Sequence, residues 1–317
     1  MTSTGDARIP FVIAADQAEV ELASWAAAHR AAIDAWLLEH RALLFRGFAL
    51  RDAPAFHAAV CASSAGPLLE YRDRSTPRYE VGQRVYVSTV YPPNERIHLH
   101  NEGTYWTTWP LKIYFCCLQP AATGGETPIA DMRRVAARID PQVQEEFRRK
   151  QVMYVRNYNP GIGLSWQDAF QAEDPREVEA YGAHHGIAMV WHGDGRLRTR
   201  QTRPAFRAHP RTAESIWFNH AAFFHVSSLK PRVREALLSA YGEEDLPYNT
   251  YFGDATPIPA DMVAHIRDAY AAEQVAFPWQ AGDVLMLDNM TMAHARESYT
   301  GDRTVIVAMT EAHSDAH

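Results

Sequence analysis

Three side chains in the run Arg96-Ile-His-Leu-His-Asn-Glu-Gly-Thr-Tyr-Trp106, and one far downstream, have the chemistry to hold a metal ion. His100 and Glu102 stand two residues apart, so on an extended strand both leave the same face. A neutral imidazole and a carboxylate presented that way offer neighbouring ligands to one divalent ion. His98 lies on that face too, and spacing leaves His98 and His100 as alternatives. H-x-E by itself is a weak signal, because so short a pattern recurs by chance. His294, in the segment Gly282–Arg303, supplies a further imidazole. Two imidazoles and one carboxylate form the facial set that suits iron(II) with open positions. The same donors also suit catalytic zinc in a hydrolase or lyase.

An arginine stands close behind the distal histidine. Arg303 begins the apolar run Thr304–Met309, and a guanidinium entering a buried strand is costly unless it meets an anion. It is well suited to clamp a carboxylate through two parallel hydrogen bonds. Arg296 follows His294 more closely and is the rival for that role.

These residues need a scaffold. Residues 17–40 are rich in Ala, Leu, Glu and Trp without Gly or Pro and predict helix, as do residues 53–63. Between them Ala42–Phe45 predicts a strand that turns at Arg46-Gly47. From residue 82 the texture changes to short β-branched and aromatic runs divided by Pro, Gly and Asn. Leu111–Leu118 is a candidate core strand, followed by a turn at Pro120–Gly125. Helix is expected near 131–150 and near 259–273, and strands at 151–156, 187–191, 214–218, 283–287 and 304–309. Helices at the front with many short strands behind them favour a mainly β fold with flanking helices, a double-stranded β-helix (jelly-roll) barrel. One domain over residues 1–317 is expected, with a mostly helical insertion at about 130–185. Neither G-x-G-x-x-G nor G-x-x-x-x-G-K occurs, so nucleotide-binding folds lack their usual support.

Four motifs in order carry a resemblance. They are His100-Asn-Glu102, the run Pro120-Ala-Ala-Thr-Gly-Gly-Glu-Thr-Pro128, the stretch Arg203–Thr212 with Trp217-Phe-Asn219, and the segment Asp288–Arg303. Together they span about residues 40–310 and resemble the taurine dioxygenase family of iron(II)/2-oxoglutarate oxygenases. The variants with Glu in the first motif are most similar, as in clavaminate synthase and hydroxylases of non-ribosomal peptide pathways. The resemblance implies the double-stranded β-helix, with His100, Glu102 and His294 as iron(II) ligands. It implies that Arg303 binds the distal carboxylate of 2-oxoglutarate and that Thr127 supports that carboxylate through its hydroxyl. O2 would be the second co-substrate, and oxidative decarboxylation of 2-oxoglutarate would be coupled to C–H oxidation of a small molecule. With Glu102 present all three protein ligands are filled, so halogenation, which needs a small residue there, is not expected.

The expected reaction is hydroxylation of an amino acid or amino-acid-derived substrate in an antibiotic or other secondary-metabolite pathway. Desaturation and cyclisation by the same chemistry, a zinc-dependent hydrolase or lyase, and a barrel without catalysis are the alternatives. Arg296, Asn219 and Trp106 are candidates for substrate contact. Tyr105, Trp106 and Trp109 equally suit ordinary packing, as do His220 and His225, while His184 and His185 are expected on the surface. Arg196, Arg198 and Arg200 alternate and would share one strand face, a basic rim to attract an aminoacyl carrier protein if it lies near the pocket mouth. The net charge of −7 points away from nucleic acid, and the absence of a spanning apolar run or signal-like start leads to an expectation of a cytoplasmic protein without membrane contact. Cys61, Cys116 and Cys117 lack zinc or disulfide spacing and are expected as buried thiols.

Overall fold

The computed structural model describes residues 9–17, 19–88, 91–159 and 162–315. Its largest sheet is built from runs that are apolar on both faces. Every residue of Val284–Asp288 is buried, as are Lys112 to Cys117 within the long strand Thr108–Gln119. These two strands pair antiparallel, and Thr304–Ser314 lines the other edge of Thr108–Gln119. Phe11–Ala14, Ala42–Arg46, Val85–Val87 and Glu80–Gly82 complete seven strands.

Side-chain alternation divides the core between the two faces of this sheet. Tyr114, Cys116, Met286, Ile306 and Ala308 pack with Ile33, Leu37, Phe56 and Val60 from the helices Leu22–His40 and Ala53–Ser63. Ile113, Phe115, Cys117, Leu285, Leu287, Val305 and Val307 face the other way, into the cluster that also holds Trp109, Ile129 and Met292. A three-stranded sheet stands on that side: Ile97–His100 and Ile129–Asp131 flank Met292–Arg296. A four-stranded sheet of Ala188–Trp191, Leu197–Arg203, Val152–Tyr158 and Tyr248–Phe252 lies beyond it in the hydrogen-bonding scheme.

The fold is a mixture of helix and sheet, and the expected closed barrel is not drawn by the hydrogen bonds. The described strands form five separate sheets, none closed on itself. The large and small sheets meet through side chains instead, with the Phe115 ring 4.9 Å from that of His294. Between residues 130 and 185 the chain forms four helices, Met132–Arg138, Pro141–Lys150, Trp166–Phe170 and Pro175–His185, with the strand Val152–Tyr158 between the second and third in sequence. The helix expected near 259–273 is Ala260–Ala272. Cys116 and Cys117 are buried, whereas Cys61 is exposed on its helix, contrary to expectation. No described helix is long and apolar enough to cross a membrane.

Lys112 is the exception to the apolar face that the two N-terminal helices cover. Its ammonium is only 2% exposed and reaches Asp34 at 2.6 Å and Glu311 at 2.7 Å, tying helix Leu22–His40 to the sheet. Lys112→Met keeps the stem and deletes the charge, leaving two carboxylates without their shared partner. The expected loss is about 3 kcal/mol of unfolding free energy, read from the urea midpoint.

Candidate metal centre and adjoining cavities

The antiparallel ladder of the small sheet sets His294 opposite His100, so both imidazoles leave one face. Their ring centroids are 4.4 Å apart. The strand ends at His100, so Glu102 is not on an extended segment as the spacing suggested; it sits in the turn that follows. That turn brings its carboxylate in, and ligand atoms of His100, Glu102 and His294 all lie within 4.8 Å of one another. His98 is exposed, and its contribution is its carbonyl, to which His100 Nδ1–H donates at 2.8 Å. This leaves the Nε2 of His100 as the free donor atom. His294 Nδ1 is buried and has no hydrogen-bond partner among the described residues. Two imidazoles, one carboxylate and an orphaned ring nitrogen fit iron(II).

Asn289 locks the ligand turn to the strand pair. Its Oδ1 accepts from Glu102 N at 2.8 Å, and its Nδ2 donates to the carbonyls of Glu102 and Pro110, both at 2.9 Å. Asn101 Nδ2 returns a bond to the Asn289 carbonyl at 2.7 Å. Asp288 caps the same corner, accepting from Met290 N and Thr291 N, while its other oxygen meets His209 Nε2 at 2.9 Å. Gly103 has φ +70°, and a Cβ there would run into the Trp106 ring. Trp106 thus packs against the ligand turn, with its indole N–H on the Asp73 carbonyl; it lines neither cavity described below.

Arg78 and Tyr71 govern the charge of the centre, and neither stood out in the sequence. Arg78 Nη2 donates to Glu102 Oε2 at 2.7 Å, and the Tyr71 hydroxyl donates to Oε1 at 3.2 Å. The Arg78 guanidinium also stacks over the Tyr71 ring, 4.3 Å from its centroid. Burial opposes ionisation of Glu102, but the Arg78 charge and hydrogen bond prevail and hold the carboxyl below its usual range. Burial pushes the pKa of His100 down, that of His294 far down, and that of His220 to about 3. The imidazoles are therefore neutral at physiological pH, the form that binds metal. His220 donates from Nε2 to the Asn101 carbonyl at 2.7 Å, a packed and hydrogen-bonded histidine.

A cavity of about 30 Å³ opens beside His100 and His294, and Thr127, Arg303, Arg296 and Arg78 also line it. Arg303 Nε donates to the Gly125 carbonyl at 2.8 Å, and Nη1 approaches Ser88 Oγ at 3.4 Å. No carboxylate pairs with Arg303 among the described residues, and burial, with Arg296 nearby, pushes its pKa down to about 10. Gly125 makes room for it: at φ +74° a Cβ would stand 3.0 Å from Arg303 Cδ. Thr127 Oγ1 accepts from Trp279 Nε1 at 3.2 Å, which fixes the hydroxyl. Arg296 is committed to the carbonyls of Tyr91, Pro92 and Glu95.

A second cavity of about 770 Å³ shares Ile97 with the first. Asn219 lines it, while its Nδ2 donates to the Ala205 carbonyl and its Oδ1 accepts from Ala221 N. Phe223 separates this space from the metal centre, its ring stacked on His100 with centroids 4.5 Å apart. Arg196, Arg198 and Arg200 line neither cavity. Arg198 is spent on Asp245 and Asn157, and Arg196 on Asp194, so the basic rim expected at the pocket mouth is not there.

A donor set of this kind, opening on a pocket with an unneutralised arginine, suits a non-haem iron centre that takes a keto acid. The family model for taurine catabolism dioxygenase TauD, TfdA family, matches residues 6–310, and the chain belongs to that family. It is accordingly a dioxygenase that uses iron(II), 2-oxoglutarate and O2. Dapdiamide synthesis protein DdaC of Enterobacter agglomerans is 44% identical over 237 residues, which cover 75% of this chain and 72% of that protein. Clavaminate synthase-like protein At3g21360 of Arabidopsis thaliana is 29% identical over 243 residues, 73% and 69% of the two chains. Among solved structures, PvcB, an Fe, alpha-ketoglutarate dependent oxygenase from an isonitrile synthetic pathway, aligns with a TM-score of 0.55 at 16% identity. The alignment covers 96% of this chain and 88% of that one. A PvcB structure from Pseudomonas aeruginosa gives 0.54 at 15% identity over 94% and 84%.

Removing the Arg78 charge leaves the Glu102 carboxylate buried without its counter-ion. Arg78→Met is expected to weaken metal binding by roughly 10- to 100-fold, because an outer partner that orients a ligand is lost. Titration of the apo-protein with manganese(II) reads this directly, and unchanged affinity would show that Glu102 is positioned without Arg78.

Proposed function

We propose that this dioxygenase hydroxylates an unactivated C–H bond of an amino acid or amino-acid-derived substrate, free or carrier-tethered, in a secondary-metabolite pathway. The observation that carries the proposal is that His100 and His294 of the cluster line a small cavity, while Phe223, which lines a much larger one, stacks on His100. The small one has the cation and hydroxyl for one end of a dicarboxylate. The large one has room for a substrate of amino-acid size or greater. The involvement of DdaC in dapdiamide synthesis, as its name states, supports the pathway class.

In this reading His100, Glu102 and His294 hold the metal, which when bound supplies O2 activation and C–H oxidation coupled to conversion of 2-oxoglutarate to succinate and carbon dioxide. The protein's own residues bind, orient and exclude water. Arg303 takes the distal carboxylate of 2-oxoglutarate, and Thr127 adds its hydroxyl. The His98 carbonyl fixes the His100 tautomer, and Arg78 with Tyr71 keeps Glu102 charged and aimed. Phe223 covers the exposed side of His100 and keeps that face of the centre apolar. Asn219, on the large-cavity side, presents an edge of the site to substrate, whereas Arg296 shapes the loop 91–95.

A panel of free amino acids and aminoacyl carrier proteins, scored by succinate release and product mass, tests the substrate class. One member is expected to give succinate with a product heavier by one oxygen atom; turnover confined to sulfonates or aryloxyacids would overturn the proposal. His100→Ala and His294→Ala should each abolish the visible absorption that iron(II) and 2-oxoglutarate give together without O2. Arg303→Ala should raise the apparent KM for 2-oxoglutarate by at least about 100-fold, the equivalent of about 3 kcal/mol for a lost charge-assisted pair. Arg296→Ala should raise it much less, and the reverse order would place the clamp at Arg296.

A further inference from the structure

The large cavity is apolar at one end and charged at the other. Leu99, Trp217, Phe223, Ile266 and Tyr270 form the inner part, and the Phe223 ring rests on His100, so this end adjoins the metal centre. The outer part is carried by the loop at Glu95 and Arg96 and by the helices Pro231–Tyr241 and Ala260–Ala272. Helix Pro231–Tyr241 has no buried residue and stands over the opening through Pro231 and Arg234.

The charges around that opening do not balance. Arg96 is neutralised by Glu297 at 2.7 Å, and Lys230 by Glu95 at 2.6 Å. Arg234 and Arg267 have no carboxylate partner among the described residues; Arg267 donates to the Ser227 carbonyl at 3.0 Å. Asp268 is the only lining carboxylate without such a pair among the described residues, so two unpaired cations face one anion. This local excess is positive in a chain of net charge −7. Such a rim, above a low-dielectric floor, concentrates anions at the mouth.

Resting on the oxygenase reading above, we infer that the substrate carries an anionic group, a carboxylate or a phosphate, at the end remote from the oxidised carbon, and that Arg234 and Arg267 recognise it. The apolar inner wall then receives the part of the substrate to be oxidised, beside Phe223. A carboxylate would mark a free acid as substrate; a phosphate would mark a phosphopantetheine-borne one. The two sources share their recognition chemistry.

Calorimetric titration of the protein loaded with manganese(II) and 2-oxoglutarate separates them with two charge-matched probe pairs. The first is N-acetylleucine against N-acetylleucinamide, the second 4′-phosphopantetheine against pantetheine. In at least one pair the anion is expected to bind roughly ten-fold tighter than its neutral partner, and raised salt should erode that preference. The pair that discriminates names the source. In the Arg234→Gln/Arg267→Gln double variant the preference should fall below about two-fold, with an unchanged urea midpoint, since both side chains reach solvent. Equal binding of anion and neutral partner, no binding of any probe, or a preference that survives the double variant would overturn the inference. The iron(II)–2-oxoglutarate absorption should persist in that variant. Its absence from the wild-type protein would instead count against the oxygenase reading.

Discussion

The backbone register that sets His294 across from His100 is the constraint on which the rest depends. Antiparallel partners project from the same side of a sheet, so one hydrogen-bonded pairing converts two histidines far apart in sequence into neighbouring ligands. A slip of one residue would turn His294 to the opposite face and dismantle the centre. Register is held from several directions: Met292, Ala293 and His294 pair with Asp131, Ala130 and Ile129 on the far edge, and Asn289 bolts the Glu102 turn to the corner before that strand. A register irregularity between His294 and Arg296 follows immediately; Arg296 resumes the ladder opposite Ile97 while its guanidinium reaches the 91–95 carbonyls.

A second constraint is electrostatic. The core that surrounds the ligands is built of Tyr71, Trp106, Phe115 and Ile129, which makes charge expensive there. The imidazoles respond by staying neutral, and Glu102 stays charged because Arg78 enters the same core to meet it. Replacing that ion pair by apolar groups could raise stability, so it is better understood as serving the ligand than the fold. Arg78 Nε and Nη1 have no described partner, and Arg303 lacks a carboxylate, so the small cavity concentrates cationic donors beside the metal centre. The protein holds these donors in place before the co-substrate arrives, which limits the reorganisation needed on binding.

Much of this could be read from the sequence, for reasons particular to each part. The helices Leu22–His40, Ala53–Ser63 and Ala260–Ala272 lie in unbroken helix-forming stretches, and the core strands are runs of apolar and β-branched residues, so local pattern and burial agree. The candidate trio His100, Glu102 and His294 came from short motifs in one order along the chain, and the fold brings their ligand atoms within 4.8 Å of one another. Arg78 was not, since it shares the irregular stretch 71–79 with Arg72 and Arg74, and only the fold distinguishes which arginine turns inward. Asn289 lies in a motif that the sequence singles out, but its role as the clamp on Glu102 was not legible, because its partners are remote in sequence. Arg198 and Arg200 share a face of the strand Leu197–Arg203 as their alternation suggested, whereas Arg196 precedes the strand. Asp245, which pairs with Arg198, is far away in the chain, so that neutralisation was not legible from the alternation.

The two cavities differ in how firmly their polar groups are held. In the small cavity Arg303 and Thr127 are held by hydrogen bonds with the Gly125 carbonyl and the Trp279 indole. Around the large cavity the cations stand on helices, one of which has no buried residue, and can adjust to what enters. Phe223 and Ile97 lie on the boundary, the first stacked on a metal ligand and the second lining both spaces. A molecule seated in the large cavity must therefore press against residues that also shape the metal centre. Its presence can be felt there through packing alone, without a polar contact, because a close-packed boundary transmits small displacements instead of absorbing them.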